Sequence, residues 1–265
     1  LLAISGLHMG LLTGFVFALV RGGLALIPSL ALRLPTKKIA AVVAMAAGAV
    51  YLAISGGSVA TERAFVMALV MLLAVVLDQR VLSLRSVATA ALIVLVLRPE
   101  ALVGPGFQMS FAATIALVVA FRVLKDRPIA WLERRLRFVK SVAGVVITSA
   151  VAGLATAPVA AAHFNQFVHV GLFANVIAVP VMGAVVIPGA VLSALLAPIG
   201  LGWIGLKVMS VGCWWILQVA AFFASLNGAV SGVPSPLWVL PLIGFGGVVA
   251  VLWVGRGKWA GVFVV

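Results

Sequence analysis

The sequence predicts an all-α fold: a polytopic transmembrane helix bundle of about nine spans, some of them kinked or discontinuous. Three observations predict it. Of 265 residues, 65% are hydrophobic and only 9% are charged, against about 25% charged in a soluble domain. Mean hydropathy is +1.33, more apolar surface than a core can absorb, so lipid is the solvent for most of the chain. Third, apolar runs close to the ~20 residues that cross a hydrocarbon layer recur throughout, parted by segments rich in Gly, Pro or basic residues.

Leu2–Val20 is the first run, interrupted early by Ser5, Gly6 and His8. Arg21, Arg33, Lys37 and Lys38 follow, among Pro28 and Pro35. Ile39–Ile54 is the second span, and Gly56, Gly57 and Ser58 make a turn. Thr61–Leu77 is the third, with Thr61 the expected N-cap and Glu62 set favourably against the helix dipole. Leu82–Leu97 is the fourth, with Arg80 before it and Arg85 in its first turn. A turn-rich stretch, Arg98–Gly106, leads to the fifth, Phe107–Phe121. The longest polar loop, Arg122–Lys140, holds seven basic residues and two acids, and Ile129–Val139 within it reads as a short amphipathic surface helix. Val142–Ala162 is the sixth span, bent or broken near Pro158. Val170–Leu196 would run about 40 Å as a helix. With Pro180 and Pro188 inside, it is expected to be kinked or discontinuous as the seventh. Trp203–Leu226, with Lys207 near its start, is the eighth, and Pro236–Val254, followed by Arg256 and Lys258, is the ninth.

Charge sets the orientation. The net charge of +13, from 18 Lys+Arg against 5 Asp+Glu, would suggest nucleic acid in a soluble protein. In a membrane protein it first marks the cytoplasmic side. The basic segments follow spans 1, 3, 5, 7 and 9, whereas the loops after spans 2, 6 and 8 carry no Lys or Arg and the loop after span 4 only Arg98. Residue 1 is therefore expected outside and the Arg122–Lys140 loop in the cytoplasm. Cys213 is the only cysteine, which excludes an internal disulfide and a cysteine-built metal site. The chain opens on Leu1 with no charged n-region, unlike a signal peptide, and ends in an apolar run from Trp259. Residues 1–265 read as one transmembrane domain cut from a longer protein.

This orientation gathers the chemically interesting side chains at the outer ends of spans: Ser5 and His8; Glu62 and Arg63; Gln108 and Ser110; His163, Asn165, Gln166, His169 and Asn175. Each group sits where Gly or Pro interrupts the helix. Irregular backbone at membrane depth is tolerated only inside protein or beside water, so these residues imply a hydrated vestibule opening outward. Glu62 and Arg63, adjacent on a helix, point about 100° apart and each needs its own partner. Charges at membrane depth are functional by default. Plainer roles stand beside these: a packing histidine for His8, interhelical glue for Gln108 and Asn175, solvated rings for His163 and His169. The three His have no metal-ligand spacing, and no phosphate-binding glycine loop or nucleophile elbow is present. Ser5 and His8, at i and i+3, lack an orienting carboxylate nearby. No catalytic residue, cofactor or metal is therefore expected, and an intramembrane hydrolase is disfavoured. A proton-coupled secondary transporter of a small anion is the alternative function, with His8, Glu62 and Arg63 as relay and clamp and span 7 as its broken helix.

Four blocks carry a family resemblance. Leu2-Ala-Ile-Ser-Gly-Leu-His-Met-Gly10 resembles the opening of the competence domain in ComEC-family DNA internalisation proteins. Thr61-Glu-Arg-Ala-Phe-Val-Met67, Pro99-Glu-Ala-Leu-Val-Gly-Pro-Gly-Phe-Gln-Met-Ser-Phe111 and Gly171-Leu-Phe-Ala-Asn-Val-Ile-Ala-Val-Pro180 are similar to its later blocks, in the same order. Gly104 stands where the family often has Asp. The resemblance implies an inner-membrane channel, not an enzyme, that admits single-stranded DNA to the cytoplasm during natural transformation. It also implies OB-like and metallo-β-lactamase-like domains in the full-length chain, contacts with other competence machinery, and room for a homodimer. On that reading Ser5, His8, Glu62, Arg63, Gln108, Ser110, Asn165 and Asn175 line the DNA path, with Arg63 contacting phosphate and Gln108, Asn165 and Asn175 offering neutral donors. Glu62 would repel a polyanion; it is expected to pair with His8 or Arg98, or to act structurally.

Overall fold

The computed structural model describes residues 6–27, 33–79, 81, 83–126 and 137–234. The eight spans expected within them are all helices: α1 Gly6–Ala25, α2 Thr36–Ile54, α3 Val59–Val76, α4 Leu84–Leu97, α5 Pro105–Asp126, α6 Arg137–Phe164, α7 Gly171–Ile199 and α8 Gly202–Ala224. Seven are long and apolar enough to cross a membrane, and the fold is an all-α polytopic helix bundle. α4 is the short one, 14 residues, or about 21 Å against a ~30 Å hydrocarbon core. The ninth span lies outside the described residues, as does the amphipathic helix expected over Ile129–Val139, except for its last three residues, which fall in the first turn of α6.

The chain divides into two compact units. The first holds α1 to α4 with most of α7 and α8. In it α1 packs on α2 and α3, α2 on α3, and α3 on α4, and α1 also meets the Ile187–Leu196 part of α7. Small residues make the seam. Ala40, Ala44 and Gly48 recur every four residues on α2, and a methyl at Gly48 would stand 3.1 Å from Thr13 Cγ2 and 3.4 Å from the Phe65 ring. Where no hydrophobic force separates helix from lipid, such close approach is what holds helices together.

Termini follow local chemistry. After α2 the Gly57 N–H reaches the Leu52 carbonyl and the Gly56 N–H that of Ala53, a Schellman closure that needs the left-handed φ of 76° at Gly56. Gly57 is left-handed too, at 62°. Asp78, at φ 56°, closes α3 in the same way, and its carboxylate lies 2.6 Å from Lys38 Nζ. The N-cap of α3 is Ser58 in place of the expected Thr61: the Ser58 hydroxyl accepts from the Thr61 N–H and meets the Thr61 hydroxyl at 2.8 Å. Thr61 itself is buried, one turn inside the helix.

The seventh span is not broken. An α-helix, Gly171–Val181, passes into a π turn, Met182–Val186, then into a second α-helix, Ile187–Leu196, and a 3-10 turn, Ala197–Ile199. Pro188 brings no N–H to the ladder, and the wider π turn, in which the Ile187 N–H reaches the Met182 carbonyl, carries the helix past it. Around that turn Ala178, Met182 and Val186 bury against Ile216 of α8, with Leu11 of α1 packed on the cluster. α7 and α8 touch through glycine: a methyl at Gly189 would lie 2.8 Å from Met209 N, and one at Gly205 would collide with Ser193 N and the Gly189 carbonyl.

The second unit holds α5, α6, the first turns of α7 and a two-stranded antiparallel sheet. α5 packs along α6, which continues through Pro158 as one helix. The strands are β1 Gln166–Val168 and β2 Val230–Gly232, in register Gln166↔Gly232, Phe167↔Ser231 and Val168↔Val230. The sequence reading placed loops at both.

Candidate functional site

The residues expected on the DNA path fall into two groups, one in each unit. In the first, the Gly56-Gly57 turn and the Ser58 cap place Glu62 in the first turn of α3. Arg98 is the C-cap of α4. Its Nη2 lies 2.9 Å from Glu62 Oε2 and donates to Oε1 at 3.2 Å, so the expected choice between His8 and Arg98 falls on Arg98. Glu62 and Arg63 are adjacent on α3 and leave the helix about 100° apart, yet both border one recess. The recess has a volume of about 30 Å³ and is lined by Val59, Glu62, Arg63, Val66, Val94, Leu97, Arg98 and Ala101. That is room for a water or two, among apolar walls with two guanidinium groups and one carboxylate.

In the second unit Gln108, on the first turn of α5, donates through Nε2 to the Leu102 carbonyl at 3.1 Å, which aims its Oε1 at His163 Nε2, 3.0 Å away. With the amide so oriented, His163 is the donor in that contact. Asn165 follows the end of α6 with φ 53°, and its carbonyl accepts from the Val233 N–H beyond β2. His169 Nε2 meets Ser231 Oγ at 2.8 Å across the strands. Ser110 and Asn175 are half-buried on α5 and α7. His8 is half-buried in the first turn of α1, and Ser5 lies outside the described residues.

Sequence reasoning left Arg98 and His163 out of its set of path residues, although both turn out to hold members of it. Arg98 follows Leu97 directly, and a cation at the end of an apolar run was the available signal. Among the described residues no three His, Cys, Asp or Glu gather as for a metal ion. What these groups offer is guanidinium charge and neutral hydrogen-bond donors at helix ends.

Comparison with known proteins places the chain. The family model described as "Competence protein" matches residues 1–258. The chain is a member of the competence protein family. This competence-family chain is 29% identical over 198 residues to "ComE operon protein 3" of Bacillus subtilis (strain 168). The match covers 74% of this chain but 23% of the Bacillus protein, so the chain spans about a quarter of that relative's length. No solved structure matches it. Membership and the seven long apolar helices together make this a multi-pass membrane protein.

Proposed function

We propose that this chain is the membrane-spanning part of a competence protein, and that single-stranded DNA passes along it through the bacterial inner membrane into the cytoplasm. Membership of the competence family over residues 1–258 is the observation that carries this reading. The polar groups of each unit support it. Single-strand conduits combine cationic contacts to phosphate with neutral donors and flat surfaces, and weak contacts suit passage because tight ones stop it. Arg63 and Arg98 supply the first kind in one unit; Gln108, His163 and Asn165 supply the second in the other. We assign Ser5, His8, Glu62, Arg63, Gln108, Ser110, Asn165 and Asn175 to the strand's path. The OB-like and metallo-β-lactamase-like domains, other competence proteins and a second copy of the chain are the partners this function calls for. The transporter alternative draws no support from α7, which is continuous where that mechanism needs half-helix ends.

Arg63→Ala tests the reading. It is expected to abolish transformation while the protein still reaches the membrane at wild-type level. Normal transformation frequency at equal protein level would reject Arg63 as a contact. Salt-insensitive crosslinking of single-stranded DNA to cysteines placed at Gln108 and Asn165 would reject the path itself.

A further inference from the structure

We propose that Glu62 is a built-in stand-in for phosphate, occupying Arg98 until a phosphodiester of the strand displaces it. The inference rests on the DNA-path reading above. Arg98 Nη2 faces both carboxylate oxygens of Glu62, at 2.9 and 3.2 Å. A phosphodiester presents the same pattern, two oxygens sharing one negative charge. The two side chains are 42% and 37% exposed, so a strand can reach the guanidinium from outside. They also come from different elements, α3 and α4, and neither is enclosed by the pair.

The local charge argues for exchange over plain repulsion. The recess lining carries Arg63 and Arg98 against Glu62 alone; Glu100 stands two residues beyond Arg98 but is not part of it. With Glu62 present the ionisable side chains of the lining sum to one positive charge, and without it to two. Without Glu62, two guanidinium groups would grip a phosphate, and a conduit that grips does not conduct. At the C-terminus of α4 the Arg98 charge is also favoured by the helix dipole, independently of Glu62. Glu62 thus keeps Arg98 available but weak.

The test is binding of fluorescein-labelled (dT)20 to the intact chain in phosphatidylcholine nanodiscs, followed against salt. Each phosphate contact to a single strand adds about 0.7 to the slope of log K on log salt. Glu62→Gln is expected to tighten binding at low salt with the slope unchanged, because Arg98 meets phosphate in both complexes, and Arg98→Gln to lower the slope by about 0.7. In an Arg98→Gln background the same change is expected to add nothing. A Glu62→Gln affinity equal to wild type overturns the proposal and leaves the DNA path standing. So does a gain that persists without Arg98, which would mean simple repulsion by Glu62. Absence of salt-dependent binding by wild-type protein defeats both. Should Glu62→Gln fail to insert, Glu62→Asp, with its shorter reach, is expected to tighten binding in the same direction, and no gain there overturns the proposal equally.

Discussion

Among the described residues two besides glycine adopt left-handed backbone that side chains ordinarily avoid, Asn165 at φ 53° and Asp78 at φ 56°. Short polar side chains are the ones that tolerate this region, while other residues lose roughly 1–2 kcal/mol there. Asn165→Val is therefore expected to lower the thermal midpoint of the detergent-solubilised protein and Asn165→Gly to leave it near wild type; equal stability of the two would show that the turn does not depend on this conformation. At this scale the sequence was only partly legible. That Glu62 needs a partner followed from its position, and Arg98 was one of two named. The cap of α3 was misplaced by one turn, from Ser58 to Thr61. Both residue types cap helices, and the choice is made by the left-handed Gly57, which lets the chain enter the helix early. Burial of Thr61 to 1% exposure then leaves its hydroxyl to bond Ser58.

Among elements, the long helices were legible because apolar length speaks for itself. β1 and β2 were not: three residues carry no period, and their pairing joins positions more than sixty residues apart. Nor was the π turn of α7, since Pro180 and Pro188 announce a disturbed ladder but not how the ladder is repaired. The glycine contact of α7 with α8 sets the sharpest demand on any element. Gly205→Val is expected to abolish monodisperse elution in mild detergent, because the added atoms meet backbone, not a flexible side chain. Gly14→Ala, where a methyl meets nothing within 4 Å, is the control expected to behave as wild type. Normal elution of the Gly205 variant would mean that the two helices can separate freely.

For the molecule as a whole, the alternation of basic and neutral loops gives an orientation that family membership does not supply. The Lys38–Asp78 pair joins the start of α2 to the end of α3, two points that the alternation puts on one side. A cysteine introduced between Arg122 and Lys140 is expected to resist an impermeant maleimide added to intact cells and to react after permeabilisation; labelling from outside would invert the topology. The eight spans among the described residues were readable from apolar length, but a residue's share in a path was not, because sequence spacing does not report which helix ends meet. The brevity of α4 carries one more consequence. Leu92 and Val96 on this 14-residue helix are 65% and 81% exposed. A bilayer drawn in to that length would drop the cell's voltage across about 21 Å instead of about 30 Å, steepening the electric field roughly 1.4-fold beside Arg98.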